Sequence, residues 1–469
     1  MILLKTAIVT AYLLTVGLLA LYGGHRSYLL RLYGRHRARA RRPRPLSGAR
    51  RDPLPMVTVQ LPVYNERYVV ERLIRAVSAL EYPADRLEIQ VLDDSTDDTS
   101  RRITETIASL QNQGRAIRHL RRTHRDGFKA GALADGLLTA RGDLIAIFDA
   151  DFVPGPRFLL DLVPHFDHPR VGMVQARWGH LNRGYSLLTR VQSILLDGHF
   201  VIEHAARHAA GRLFNFNGTA GIWRRACIES AGGWQSDTLT EDLDLSYRAQ
   251  LAGWRFVFAP EVVAPAELPA DINAFKSQQH RWARGSIETG RKILPRLLRS
   301  RLPLAVKIEA FFHLTANGAY LLMLLLGLLI VPATLIRESP EWRPLLLLDT
   351  PLVALSTLSV LAFYIRSQRE IGEGWAETLA SLPLLMSLGI GLCLNNTRAV
   401  CAGLGTRRAE FERTPKHSLE GTAGDWRGKR YRGRRRLAWL AAEALLGIYF
   451  TAAFVHALRA GTYASLPLL

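Results

Sequence analysis

The sequence predicts an α/β domain built on a mainly parallel β-sheet, with α-helical transmembrane segments on both sides of that domain in the chain. Short apolar runs typical of buried strands alternate with helical patterns between residues 56 and 148. Acidic residues directly follow two of these strands, and long apolar runs lie at the N-terminus and beyond residue 305. Alternating strands and helices are joined by right-handed crossovers, so the strands are expected to run in one direction.

Five apolar runs are predicted strands, at residues 56–61, 87–92, 117–120, 144–148 and 173–178. Between the first two, apolar side chains recur at helical spacing from Val69 to Leu80. In an open α/β sheet, ligands bind beyond the carboxyl ends of the strands. The residues that follow the strands are therefore expected to meet in one crevice.

The composition limits the class of protein. The 469 residues include 61 Lys and Arg against 41 Asp and Glu, a net charge of +20. Such a balance suits nucleic acid, an anionic membrane surface or an anionic substrate. Three cysteines, far from any metal-ligand spacing, exclude a disulfide framework or a zinc module. No Walker loop and no Gly-x-Gly-x-x-Gly follows the first strand, which disfavours an ATPase or a Rossmann dehydrogenase.

Residues 2–22 are apolar over a length sufficient to cross a bilayer. A cleaved signal peptide is the alternative, but the run is long and most of its flanking positive charge follows it. We therefore predict a retained transmembrane helix at residues 1–24 and a basic juxtamembrane linker at residues 25–55. Arginines beside a span favour the cytoplasmic side and anionic lipid, with a nucleic-acid arm as the alternative.

The C-terminal part, residues 306–469, is predicted to be a membrane domain. Residues 311–336, 345–365 and 437–458 are expected to span, and residues 375–396 are also long enough. If all four crossed, the basic loop at residues 398–436 would lie outside, against the positive-inside rule. We therefore place residues 375–396 at the interface and the loop in the cytoplasm. The α/β domain at residues 56–305 is then cytoplasmic too, and we expect an integral protein of a bacterial inner membrane.

Two acidic pairs follow predicted strands. Asp149 and Asp151 come directly after the strand at residues 144–148, and acids one residue apart can share a hard divalent cation with phosphate oxygens. A helix N-cap or a polar turn is the alternative. Asp93 and Asp94 follow the strand at residues 87–92, and Lys129 lies in a glycine-punctuated loop where it can meet a phosphate. Together these features favour a nucleotide-diphosphate site.

Two further motifs lie later in the domain. Thr240-Glu241-Asp242 opens a predicted helix, and here an N-cap with acids that complement the helix dipole is the alternative. Gln278-Gln279-His280-Arg281-Trp282 lies on a basic, predicted helical stretch. An Arg–Trp pair with two amides is unusual on a solvated face, although an amphipathic interfacial helix would also use it.

Taken in order, these motifs resemble those of the processive membrane glycosyltransferases of family 2, the cellulose-synthase-like group. The nearest likeness is to the β-mannan or glucomannan synthases and their bacterial relatives. The resemblance covers about residues 56–300 and implies a GT-A type fold with a nucleotide-sugar site. Phe411-Glu412-Arg413-Thr414-Pro415-Lys416 also resembles the gating-loop motif of cellulose synthases.

The resemblance implies a role for each donor-side residue. Asp93 and Asp94 would hold the base and ribose of a nucleotide-sugar, and Lys129 would meet its diphosphate. Asp149 and Asp151 would bind Mg²⁺ or Mn²⁺ together with the phosphates. This agrees with the chemistry, because a departing diphosphate must be stabilised by cations.

On the acceptor side, the resemblance implies that Asp242 is the general base. Arg281 would bind the leaving diphosphate and Trp282 the acceptor sugar. The remaining substrate-binding residues it implies are Glu241, Gln278 and Gln279. A single carboxylate that deprotonates the acceptor hydroxyl suffices for inversion, so no covalent nucleophile is needed.

The function implied is an inverting, membrane-bound transfer of a hexose from GDP-mannose or UDP-glucose to the growing end of a β-linked polysaccharide. The alternative is transfer of a single sugar to a lipid acceptor. Expected partners are thus a nucleotide-sugar, a polysaccharide or lipid-linked acceptor and membrane lipid. A basic membrane protein that binds nucleic acid, or a transporter, is disfavoured because the clustered acids would repel phosphate unless a metal intervened. No nucleic-acid partner is therefore expected.

Overall fold

A mixed β-sheet forms the centre of the α/β domain. The computed structural model describes residues 2–41, 53–111, 116–337, 339–405, 413–426 and 437–459, and within them the sheet has seven strands. In chain order these are β1 (Val57–Val63), β2 (Leu87–Asp93), β3 (Ile117–Arg121), β4 (Leu144–Ile147), β5 (Val171–His180), β6 (Gly221–Arg224) and β7 (Arg255–Ala266). Their spatial order is β3-β2-β1-β4-β6-β5-β7. Only β6 runs antiparallel to its neighbours, which confirms the mainly parallel sheet.

The five predicted strands all form, and none of their ends is shifted by more than two residues. The sequence analysis did not predict β6 and β7. Strand β7 contains Pro260 and Pro265, which remove backbone donors and obscure a strand pattern. Prolines are tolerated there because β7 is an edge strand that pairs only with β5, and its register shifts along that pairing.

Helices cover both faces of this sheet. In the described part of the domain they are α2 (Val70–Ser78), α3 (Thr99–Gln111), α4 (Phe128–Thr139), α5 (Phe158–Leu162), α6 (Leu187–Asp197), α7 (Ala205–Ala209), α8 (Arg225–Ser230) and α9 (Glu241–Leu251), after α1 (Ile2–Arg41). A π-helical turn, Gly198–His204, joins α6 to α7. Strand side chains alternate between two apolar cores: Val59 lies on the α2–α3 face, and Ile145 lies on the α4–α6 face.

The N-terminal helix corrects a predicted boundary. Helix α1 continues through the first 17 residues of the expected linker, rather than ending near residue 24. Arginine is a good helix former, and no proline occurs before Pro43. Leu29, Leu32 and Tyr33 continue the apolar face and are buried, so tertiary contacts stabilise the extension. Residues 42–52 of the linker lie outside the described residues.

Long helices follow the α/β domain: α10 (Ile272–Arg299), α11 (Leu304–Thr315), α12 (Ala319–Arg337), α13 (Leu346–Glu370), α14 (Trp375–Gly391), α15 (Cys393–Leu404) and α16 (Leu437–Arg459). Among the described residues, four helical segments are long and apolar enough to cross a membrane: Ile2–Ala38, Leu304–Arg337, Arg343–Glu370 and Trp439–His456. Helices α14 and α15 are bent by 44° and together would make a fifth. Candidate membrane helices thus lie on both sides of the domain, as predicted.

Candidate active site

An open cleft lies beyond the carboxyl ends of β1 and β4, where it was expected from the sequence. Most of the expected site residues line this cleft: Asp94, Lys129, Asp149, Asp151, Glu241, Asp242, Gln278, Arg281 and Trp282. Asp93 and Gln279 do not line it. The motif residues from Asp94 to Trp282, 188 positions apart in the sequence, therefore meet in one place because the strand ends and α10 surround the same cleft.

Asp93 is the clearest departure from the expected roles. Its carboxylate is fully buried and accepts hydrogen bonds from the Ser95 backbone N–H (2.8 Å), the Ser100 hydroxyl (2.5 Å) and His119 Nε2 (2.9 Å). Burial alone would raise its pKa, but these hydrogen bonds hold the pKa of Asp93 below its usual range. Asp93 therefore lies outside the lining of the cleft, and its hydrogen bonds hold the turn after β2.

Asp94 lines the cleft and is held by Arg122. Arg122 Nε donates to Asp94 Oδ1 (2.7 Å), and Nη2 donates to Oδ2 (2.5 Å). The same guanidinium donates to the backbone of the loop that leads into α4, which carries Arg125. Arg125 stacks on Tyr64 with its guanidinium carbon 3.4 Å from the ring centroid, and both residues line the cleft. The flat, cationic surface formed by Arg125 and Tyr64 was not predicted from the sequence, although Tyr64 directly follows β1.

The two carboxylates of the Asp-x-Asp motif are each paired with a lysine. Lys129 Nζ donates to Asp149 Oδ1 and to the Gly218 carbonyl oxygen (2.9 Å). Lys416 Nζ donates to Asp151 Oδ2 at 2.5 Å. Although burial opposes it, the negative charges of Asp149 and Glu241 raise the pKa of Lys129, so it remains a cation.

The donor set fits a hard divalent cation that takes its remaining ligands from phosphate. Asp149 and Asp151 provide carboxylate oxygens at the open end of β4. In the described part of the chain, no group of three or more His, Cys, Asp or Glu side chains could hold a metal ion. A cation bound to Asp149 and Asp151 would therefore take its remaining ligands from a substrate. Its charge would replace the lysine charges that now neutralise these two carboxylates.

Asp242 lies at the start of α9 and lines the same cleft. Burial and the adjacent Glu241 carboxylate raise the pKa of Asp242 to about 7, against the opposing charge of Lys129. Gly218 has a φ of +80°, and a Cβ there would lie 3.0 Å from Asp242 Oδ2. Thr240 occupies the N-cap position of α9 and the acids lie in its first turn, but its hydroxyl bonds to Thr289 (3.1 Å) and does not cap the helix. A carboxylate with a pKa near neutrality suits a general base.

Helix α10 carries the Gln-Gln-His-Arg-Trp motif along the cleft. Gln278, Arg281 and Trp282 face the cleft, as the glycosyltransferase resemblance implied. The helix approaches the turn before Asp242 closely, since a Cβ on Gly285 would lie 2.6 Å from a side-chain carbon of Thr240. The motif and the acidic turn are therefore held at a fixed distance from each other.

Residues 413–426 cover the cleft from the C-terminal part of the chain. Arg413 forms a two-pronged ion pair with Glu66 (2.7 and 2.9 Å). Glu267 accepts hydrogen bonds from the backbone N–H groups of His417 (2.6 Å) and Leu419 (3.1 Å). Burial raises the pKa of Glu66 to about 8 despite Arg413. The remaining part of the gating-like motif, Phe411 and Glu412, lies outside the described residues.

We call residues 413–426 the cover segment. Its partners Glu66 and Glu267 were not predicted from the sequence. Glu66 lies three residues after β1, and Glu267 comes immediately after β7. The position of Glu66 beside a predicted strand end was a usable signal. Glu267 had none, since β7 itself was not predicted.

Comparison with known proteins agrees with this geometry. Residues 55–285 match the family model described as glycosyltransferase like family 2. The chain is 38% identical over 328 residues to glucomannan 4-beta-mannosyltransferase 7 of Arabidopsis thaliana, covering 66% of this chain and 59% of the relative. It is 40% identical over 300 residues to probable glucomannan 4-beta-mannosyltransferase 3 of Oryza sativa subsp. japonica, covering 61% and 54%. The chain thus spans little more than half the length of these relatives.

Among solved structures, a mannosyltransferase from Pyrobaculum calidifontis in complex with GDP-Man and Mn²⁺ matches with a TM-score of 0.50 and 22% identity, covering 76% of this chain and 98% of that one. At this identity the likeness shows the fold. The curated relatives named above are plant proteins, so they do not support the expected bacterial inner membrane. Residues 55–285 thus match the family 2 glycosyltransferases, and the α/β domain has the GT-A type fold.

Proposed function

We propose that the protein transfers a hexose from a nucleotide-sugar to the end of a β-linked polysaccharide, with inversion at the anomeric carbon. The observation that carries this proposal is that two carboxylate sites line one cleft. Asp149 and Asp151 follow β4, and Asp242 stands at the start of α9. In-line displacement requires two such sites, one to stabilise the leaving group and one to activate the nucleophile.

The donor half of the reaction uses the residues around β4. Asp149 and Asp151 would hold Mg²⁺ or Mn²⁺, which supplies positive charge to the leaving diphosphate when bound. Lys129 and Arg281 lie in the same cleft and add fixed positive charge that does not depend on a metal. Asp94, Arg125 and Tyr64 are then left to contact the nucleoside.

The acceptor half uses α9 and α10. Asp242 would take the proton from the acceptor hydroxyl as that oxygen attacks the anomeric carbon. Its raised pKa keeps it basic enough to accept a proton near neutral pH. The indole face of Trp282 gives a flat apolar surface for the acceptor sugar, and Gln278 adds amide groups beside it.

GDP-mannose is the preferred donor in this proposal, ahead of UDP-glucose. The curated relatives are named glucomannan 4-beta-mannosyltransferases, and the matching solved mannosyltransferase contains GDP-Man and Mn²⁺. A polysaccharide acceptor follows from the same names.

The cover segment also supports the proposed topology. Its contacts with Glu66 and Asp151 require that residues 413–426 lie on the same side of the membrane as the α/β domain. Two crossings, by Leu304–Arg337 and Arg343–Glu370, return the chain to that side. Helices α14 and α15 then do not cross, which agrees with an interfacial position for residues 375–396. Basic residues in α1 favour the cytoplasm as that side.

The test is transfer by membranes containing the protein, with labelled GDP-mannose, UDP-glucose, UDP-galactose and UDP-N-acetylglucosamine as donors. We expect GDP-mannose to be used best, EDTA to abolish transfer, and Mg²⁺ or Mn²⁺ to restore it. The Asp151→Asn variant should lose most of the activity. Full turnover in EDTA would overturn the metal assignment, and transfer from none of the donors would overturn the function.

The size of the product separates the polysaccharide synthase from an enzyme that adds one sugar to a lipid. If Trp282 holds the chain end after each addition, Trp282→Ala should shorten the products and raise the apparent requirement for acceptor. Hydrolysis of the donor by water should partly survive. A product of one sugar on lipid in the wild type would favour the single-addition reaction instead.

A further inference from the structure

Asn217 is a residue of the cleft to which neither the motifs nor the comparisons assign a role. It lines the cleft, and its backbone N–H donates to Gln175 Oε1 at 2.9 Å. The next residue, Gly218, accepts a hydrogen bond from Lys129 and lies against Asp242. Asn217 is thus placed between the residues proposed for the diphosphate and the proposed general base.

The orientation of the Asn217 amide is fixed by a histidine. Asn217 Nδ2 donates to His199 Nε2 at 2.9 Å, and His199 Nδ1 faces Glu203 Oε2 at 3.1 Å. Burial opposes ionisation of Glu203, but the charge of Arg207 and the hydrogen bond from His199 hold the pKa of Glu203 well below its usual range. A carboxylate can only accept, so His199 Nδ1 carries the proton and Nε2 accepts from the amide nitrogen.

This arrangement leaves the amide oxygen without a protein partner. Asn217 Oδ1 is buried and accepts no hydrogen bond within the described residues. An unsatisfied buried acceptor is unfavourable, and native structures retain such groups where a ligand or water completes them. Because the nitrogen is committed to His199, the amide cannot turn to present a donor instead.

The helix that carries His199 and Glu203 has an unusual geometry. Both residues lie in the π-helical turn Gly198–His204. A Cβ on Gly198 would lie 2.6 Å from the Phe363 ring, so the turn is pressed closely against α13. Wide π-turns are rare and are frequently found at functional sites. Here the turn brings His199 within hydrogen-bonding distance of the cleft residue Asn217.

We propose that Asn217 is a specificity-determining residue whose Oδ1 accepts a hydrogen bond from one hydroxyl group of the hexose being transferred. This rests on the proposed function. The donor sugar is preferred to the acceptor because Lys129 joins Gly218 to Asp149, on the diphosphate side of the cleft. His199 and Glu203 act through Asn217 and are positioning residues.

The experiment measures kcat/KM for the best nucleotide-sugar and for its 2-, 3-, 4- and 6-deoxy forms. A site with a buried acceptor rejects the analogue that lacks the matching hydroxyl, so we expect one deoxy donor to be about 10- to 100-fold poorer with the wild type. Asn217→Ala should lose that preference, because it lowers activity with the full donor much more than with that deoxy donor. His199→Phe should also reduce the preference for the full donor over that deoxy donor.

Asn215→Ala is the matched control. Asn215 also has a buried Oδ1 without a partner, but its side chain does not line the cleft. It should keep the wild-type preference. The proposal is overturned if no deoxy donor is discriminated by the wild type, if Asn217→Ala keeps the wild-type ratios, or if only the KM for the acceptor changes. Absence of transfer by the wild type with every donor would instead overturn the proposed function.

Discussion

The floor and the cover of the cleft come from distant parts of the chain and are held by different forces. The floor carries Asp149 and Asp151 at the end of β4, a strand whose four residues are all buried, and Asp242 at the start of α9. The cover segment is held by ion pairs from Arg413 and Lys416 and by hydrogen bonds to Glu267. Burial of apolar strands fixes the floor whether or not substrate is bound.

The cover is different, because its charges sit where substrate charges would be. Lys416 neutralises Asp151, one of the two carboxylates proposed to bind a divalent cation. A cation and a diphosphate would change the balance of charge at that contact, while leaving the apolar core beneath the floor unchanged. We therefore expect substitutions in the floor to act on the chemistry and substitutions in the cover to act on ligand access and affinity.

The largest expected effect lies in the floor. Asp242→Asn keeps the shape of the side chain but removes the proposed base, so the rate should fall by about 10²–10⁴-fold. Binding of the nucleotide-sugar, measured by calorimetry, should change little. If the variant loses donor affinity and keeps its turnover rate, Asp242 belongs to the donor site.

The next effect lies in the cover. Glu267→Ala removes the acceptor for the backbone N–H groups of His417 and Leu419. Local opening should become easier, and trypsin should cleave after Arg413 or Lys416 about 10- to 100-fold faster. Glu261→Ala, at a half-exposed position of β7, the strand that precedes Glu267, is the control. Equal cleavage rates in both variants would mean that Glu267 does not hold the cover.

The pH dependence tests the floor without a mutation. The base acts when deprotonated, and the pKa of Asp242 is raised to about 7. Activity should therefore fall as the pH decreases through 7, to roughly a tenth of its plateau at pH 6. The measurement is kcat against pH at saturating donor and metal. A flat profile between pH 6 and 8 would contradict this role.

The smallest effect concerns the contact between the two regions. Removing the Lys416 charge frees Asp151, so Lys416→Met should bind Mn²⁺ about 3- to 10-fold more tightly in the absence of donor. Electron paramagnetic resonance of free Mn²⁺ measures this directly. Lys276→Met is the control, since Lys276 pairs with Glu443 in α16. Unchanged or weaker Mn²⁺ binding would show that the charge of Lys416 does not oppose metal binding at Asp151.

The same comparison explains what the sequence predicted. The floor was predictable because short apolar runs followed by acids are local patterns, and parallel strands bring their ends together. The role of buried Asp93 in holding the turn after β2 was not predictable, because it depends on partners such as Ser100 and His119. The contact of Lys416 with Asp151 joins residues 265 positions apart and leaves no local pattern. Only the resemblance of residues 411–416 to a gating loop pointed to it.

The close approach of Gly285 to Thr240 has a mechanical consequence. Helix α10 lies between the cleft and α15, where Arg291 donates to the Gly403 carbonyl (3.0 Å) and His280 donates to that of Asn395 (3.2 Å). Because Gly285 has no side chain that could adjust its conformation, a tilt of α15 would be transmitted through α10 to the turn that carries Asp242. We therefore expect a change in bilayer thickness, which moves the interface at which α15 is proposed to lie, to alter turnover. Turnover in lipids of graded chain length would reveal this dependence.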